Sequence, residues 1–132
     1  MTGDDGALIA AVHRLAAADR RACARVARLL GIGDIEARIV VGLAGGGRVT
    51  ARSLRAEFDL SPGGAAALAD RLARERLVRG EPDPERPGQV RLRLSDGARI
   101  EADAALAGLA GELVAIMAAL SPAERRALGS PV

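Results

Sequence analysis

The chain has no lysine, no tryptophan and no tyrosine, and only one phenylalanine, one cysteine and one histidine in 132 residues. Each shortage excludes something. The lone Cys23 cannot form an intramolecular disulfide, which points to a reducing compartment. The lone His13 has no cluster of acidic residues at ligand spacing around it, so no metal centre is expected. Paired-carboxylate and nucleophile motifs are absent as well, so neither catalysis nor a cofactor is expected. No uncharged apolar run approaches the ~18 residues of a membrane span. The start, Met1-Thr2-Gly3-Asp4-Asp5, is acidic where a secretion leader is basic. A soluble, cytoplasmic protein without a membrane partner is expected.

The chain is about one domain long. Its residues are 49% hydrophobic, and with so few aromatics the core must come from Ala, Leu, Val and Ile. Ala and Leu favour helix, so a mainly α fold is expected. A core without large rings buries little area per residue, which favours an obligate oligomer. The net charge is +2 and every basic residue but the histidine is arginine. The charge is unevenly spread. From Arg48 to Arg99 there are eleven arginines and eight acidic residues, whereas the rest of the chain is slightly acidic. A mildly basic middle suits nucleic acid.

Periodicity divides the chain into helices and one strand pair. Asp4 or Asp5 is positioned to cap a first helix to about Leu30, with a seam of Leu8, Val12, Leu15, Asp19, Ala22, Val26 and Leu29. Asp34 caps a second helix carrying Ile35, Ile39, Val40 and Leu43, and Gly45-Gly46-Gly47 stops it. The two glycine clusters lack the Lys-Ser or Lys-Thr of a phosphate loop and read as helix ends. Thr50 caps a third helix carrying Leu54 and Phe58, and Asp59-Leu60 makes a turn. Ser61 and Pro62 start a fourth helix with Leu68, Leu72 and Leu77 buried. After a proline-rich break, Val90, Leu92 and Leu94 alternate with Arg91 and Arg93 as a half-exposed strand, and Leu77 to Glu81 is its expected partner. Ser95 or Asp96 caps a long helix to Leu120 with Leu106, Leu109, Leu113, Ile116 and Leu120 on one seam; Ser121-Pro122 starts a last helix through Leu128. Two helices, a turn and a strand pair in this order form a winged helix-turn-helix.

The middle resembles the MarR family of winged-helix transcription regulators. The likeness is carried by Leu60-Ser61-Pro62-Gly63, Asp70-Arg71-Leu72, Leu77-Val78-Arg79, Glu81-Pro82-Asp83-Pro84-Glu85 and Val90-Arg91-Leu92-Arg93-Leu94; Ser121-Pro122-Ala123-Glu124 is similar to the start of that family's last helix. The resemblance implies a single domain over residues 1–132. Residues 4–33 and 95–129 would supply dimerisation helices, and 34–94 the winged helix-turn-helix. It implies a homodimer on palindromic double-stranded DNA, open to a small-molecule effector. The implied DNA-binding residues are Arg48, Thr50, Arg52, Ser61, Gly63, Gly64, Ala67, Arg71 and Arg86.

This chain departs from the family pattern on the fourth helix. Gly64, Ala66 and Ala67 stand where the family carries Thr, a polar residue and Arg. Ala can touch a thymine methyl but cannot form the bidentate pairs that discriminate bases. Weak base readout is therefore expected, with specificity leaning on DNA shape and half-site spacing. The alternative is a degenerate dimer of the same fold that binds a small ligand or a protein partner and no DNA. At the end of the fourth helix Arg76 occupies a position where the family commonly has glycine. Cys23 reads as an inert thiol, because the tyrosines or second cysteine of a redox switch are missing.

Overall fold

The structure, a computed structural model, describes residues 3–129. Six helices and two strands follow in order: α1 Gly3–Leu30, α2 Asp34–Ala44, α3 Ala51–Phe58, α4 Pro62–Arg74, β1 Val78–Pro82, β2 Val90–Leu94, α5 Asp96–Ala118 and α6 Pro122–Gly129. The expected mainly α fold with a small β-hairpin wing is present.

Local chemistry sets most boundaries. The Thr50 hydroxyl oxygen accepts from the Ser53 N–H at 3.1 Å, and Ser53 Oγ accepts from the Thr50 N–H at 2.8 Å, so α3 begins with two donors satisfied. Ser61 Oγ caps α4 through the Gly64 N–H at 3.0 Å. Ser95 caps α5 and Ser121 caps α6 in the same way. At α2 the cap falls one residue earlier than expected. Gly33 takes that place, Asp34 is already helical, and the Glu36 carboxylate accepts from the Gly33 N–H at 2.7 Å. The cap expected at Asp4 or Asp5 lies outside the described side chains, and the backbone is helical from Gly3. Asp59 ends α3 in the left-handed region with φ 52°, which suits a short polar side chain at a tight turn.

The main core joins α2, α3, α4 and the wing to the adjoining halves of α1 and α5. Leu54, Leu72, Val26 and Val40 are its largest fully buried side chains. Truncating Leu72 to alanine there costs ~2–5 kcal/mol. A second, small cluster of Ala11, Ile116 and Leu120 ties the start of α1 to the end of α5 and to α6. The expected α1 seam is only half realised. Ala11, Ala18, Ala22 and Val26 are buried, while Val12, at 46% exposed, and Leu29, at 49%, face outward. Small residues take the inner stripe because α1 lies close against both α2 and α5. On α5, Leu113 and Val114 are likewise exposed.

The wing is an antiparallel hairpin pairing Val78 with Leu94 and Pro82 with Val90. Its connection folds tightly: the Asp83 N–H donates to Gln89 O at 2.9 Å, and Gly88 adopts φ 83°. Leu92 and Leu94 are buried, whereas Val90, expected on the same inner face, is exposed at the tip. The other edge of β2 meets the chain ahead of α3, where Leu92 donates to Val49 O at 2.9 Å and Thr50 bridges Arg91.

Candidate nucleic-acid interface

Three pieces of chain converge on one surface: the start of α3, the start of α4 and the wing. Two neighbouring clefts mark the convergence. The one beneath the wing, about 430 Å³, is bounded by Arg48, Thr50, Arg52, Asp83, Arg86 and Gln89. Its neighbour, about 530 Å³, runs from Thr50 and Arg52 past Arg55 to Pro62 and Gln89. Arg48, Thr50, Arg52 and Arg86 are thus brought together, and the first residue of α4 adjoins them.

Their charges are not equally available. Arg48 binds the carboxylate of Asp83 and, at 2.6 Å, that of Glu85. Asp83 is buried, and it also accepts from the Glu85 N–H at 3.0 Å. The Arg48 bond, seconded by that N–H, holds the Asp83 carboxyl below the usual aspartate range. Its second oxygen, Oδ2, has no hydrogen-bond partner. Arg48 is therefore a clamp on the connecting loop of the wing with its charge already matched. Arg71 is also engaged, at 3.3 Å from Glu36 of α2, and lines neither cleft. Arg52, Arg55 and Arg86 make no ion pair among the described residues.

The start of α4 offers little beyond its backbone. Pro62 has no N–H, Gly64 donates its own to Ser61, and Ala65 donates to Ser61 O. Gly63 is left with a free N–H, in open surroundings. At Gly64 an added Cβ would lie 3.2 Å from Ser61 Oγ, so a side chain would crowd the cap. Ala66 and Ala67 are exposed, and Asp70 and Arg74 follow them on the exposed side.

Sequence reasoning missed Arg55 and Gln89, which line these clefts. Arg55 was within reach of it, since it stands three residues after Arg52 and shares that face of α3. Gln89 carried no such signal; its place follows from the tight wing turn.

No family model and no curated relative matches the sequence. Solved structures do. RV1404 from Mycobacterium tuberculosis superposes with a TM-score of 0.60 at 23% identity, covering 94% of this chain and 84% of that one. MarR from E. coli, in its apo form, gives 0.52 at 17% identity over 89% of this chain and 88% of that one. The chain has the MarR fold. A mutant of E. coli MarR complexed with operator DNA matches it too, with a TM-score of 0.52 at 17% identity, over 89% of this chain and 85% of that one. Within the MarR fold, the surface described above is made from the helix-turn-helix and the wing.

Cys23, on α1, is half-buried beside a separate cleft that also touches Asp19 and Arg38. Burial first, and then the Asp19 charge, push its thiol above the ordinary range against the pull of Arg38. Among the described residues no group of three metal-ligating side chains occurs, and no helix is long and apolar enough to cross a membrane.

Proposed function

We propose that this chain is a cytoplasmic transcription regulator that binds double-stranded DNA as a homodimer. The observation that carries the reading is that Arg52, Arg55 and Arg86, free of ion pairs among the described residues, line two adjoining clefts between α3, the wing and the start of α4. Phosphates would be held by these arginines, by the Gly63 N–H and by the hydroxyls of Thr50 and Ser61. Ser61 and Thr50 already accept from their own helices, but each hydroxyl keeps a proton to donate. The small Gly63, Gly64 and Ala67 surface would let α4 enter a major groove closely while reading few base edges. Arg86 would probe the adjoining minor groove. Arg48 and Arg71, tied to carboxylates, would lend structure more than charge. The mutant E. coli MarR complexed with operator DNA supports the DNA-binding reading by analogy of fold. Exposed Val12, Leu29, Leu113 and Val114 on the long helices support dimerisation through α1 and α5.

A second reading has its own observation. Ala66 and Ala67 leave the start of the exposed side of α4 without polar side chains, and two of the four arginines expected to supply charge are spent on ion pairs. A dimer that kept the fold and binds a ligand or protein instead would look the same. Ala67→Arg separates the two. The site is exposed, so the fold should tolerate the change. Duplex affinity, measured by fluorescence anisotropy at low salt, should rise by ~1 kcal/mol or more. If neither wild type nor Ala67→Arg binds any duplex while both remain folded dimers, the second reading stands.

A further inference from the structure

A further cleft, about 450 Å³, opens on the opposite side of Arg48, where β2 runs into α5. Four arginines line it, Arg48, Arg91, Arg93 and Arg99, beside the backbone of Gly46 and Gly47, and no carboxylate does.

The cleft exists because a ladder splays. Leu92 donates to Val49 O, so the antiparallel pattern calls next for Val49 to donate to Leu92 O and for Leu94 to donate to Gly47 O. Neither bond forms. Gly47 has turned back instead and donates to Gly42 O at 2.9 Å. An added Cβ on Gly47 would lie 2.7 Å from that same oxygen, so this reversal requires glycine. The N–H groups of Val49 and Leu94 are left without backbone partners at the edge of the cleft.

The arginines hold their present partners unequally. Glu81 serves both Arg91, at 2.6 Å, and Arg93, at 3.6 Å. Arg99 reaches Asp103 only at 3.9 Å. Exposed contacts of that length are weak, so Arg93 and Arg99 keep most of their donors for another acceptor. Guanidinium forks match carboxylate and phosphate oxygens in pairs. A cleft of this volume takes a small organic anion or a pyrophosphate, too small a site for a folded partner.

We infer that this cleft binds a small multivalent anion, bearing carboxylate or phosphate groups, through Arg93, Arg99 and the free N–H groups of Val49 and Leu94. The site shares only Arg48 with the clefts of the nucleic-acid surface and does not depend on that surface binding DNA.

Titration calorimetry of the full chain with citrate and with pyrophosphate, at constant ionic strength, tests it. Saturable binding of at least one, at one site per chain, is expected. Saturation by citrate alone identifies a carboxylate ligand, and by pyrophosphate alone a phosphate ligand. Arg93→Ala with Arg99→Ala should weaken binding at least tenfold while the anion-free melting temperature stays within a few degrees of wild type. Arg86→Ala, on the other surface, should leave anion binding unchanged and weaken duplex binding. No saturation with either anion, or equal weakening by Arg86→Ala and by the double variant, would overturn the site. A chain that binds duplex but neither anion would sink the cleft and leave the regulator reading intact; the reverse result would do the opposite.

Discussion

The Ser95 hydroxyl donates to the carbonyl of Arg76 at 2.6 Å, across the base of the wing. Arg76 sits there in the left-handed region, with φ 59°. An L-residue pays ~1–2 kcal/mol for that conformation. The chain must reverse between α4 and β1, and Arg76 donates to Ala73 O while Leu77 donates to Leu72 O as it does so. The turn is a helix-ending motif that ordinarily takes glycine. Ser95 fastens it and, with the same oxygen, caps α5 through the Ala98 N–H. Arg76→Gly should therefore stabilise the protein. Relief of strain outweighs the added freedom of the unfolded chain, for a net gain of ~0.5–1 kcal/mol in urea denaturation. Ser95→Ala should cost ~1 kcal/mol or more, because a cap and a tertiary bond go together. A destabilised Arg76→Gly would show that the arginine side chain contributes more than its backbone costs.

Arg48 and Asp83 should behave as a unit. Arg48→Ala leaves a buried carboxylate without its cation, so the single change should lower the melting temperature more than Arg48→Ala combined with Asp83→Asn does. Additive losses in the double variant would mean that the clamp carries no coupling.

The same clamp has a pH signature. The Asp83 carboxyl lies lower in the folded chain than when unfolded, because Arg48 and then the Glu85 N–H favour its charged form. Its contribution is complete above the unfolded value of ~3.9 and fades as the pH falls below it. Stability should drop over that acidic range in wild type, and the drop should be shallower in Asp83→Asn. Identical acid profiles would locate the titration elsewhere.

Leu113 is exposed on α5 in the single chain. Leu113→Asp should therefore leave each chain folded yet split a dimer built on α1 and α5, since a carboxylate would be buried at the joint. Light scattering with circular dichroism reads both properties. An unfolded variant would mean that the fold cannot exist without its partner, and an intact dimer would move the interface to another face.

Cys23 should react slowly. Burial and Asp19 hold the thiol protonated, and the thiolate is the nucleophile. Alkylation by iodoacetamide at pH 7.5 should run slower than that of a free cysteine peptide. Faster reaction would reopen a redox role.

The elements themselves were legible in the chain because their signals are local. Thr50, Ser61, Ser95 and Ser121 each precede a helix they cap within three residues. The alternation of Val90 to Leu94 defines β2, and the basic middle with its Ser-Pro start pointed to the surface where Thr50, Arg52 and Arg86 meet. What tertiary structure alone decided are relations between residues far apart. Arg48 reads as a free cation until the wing brings in Asp83, 35 residues on, and matches its charge. Arg71 meets Glu36 over an equal separation. The inner stripe of α1 went to alanines, because two neighbouring helices leave room only for small side chains and turn Val12 and Leu29 outward. The arginine cleft at Arg93 and Arg99 depends on two hydrogen bonds that Gly47 forgoes by turning to Gly42. A cap acts over three residues and can be read from them; a charge is free or spent according to what the fold brings within a few ångströms of it.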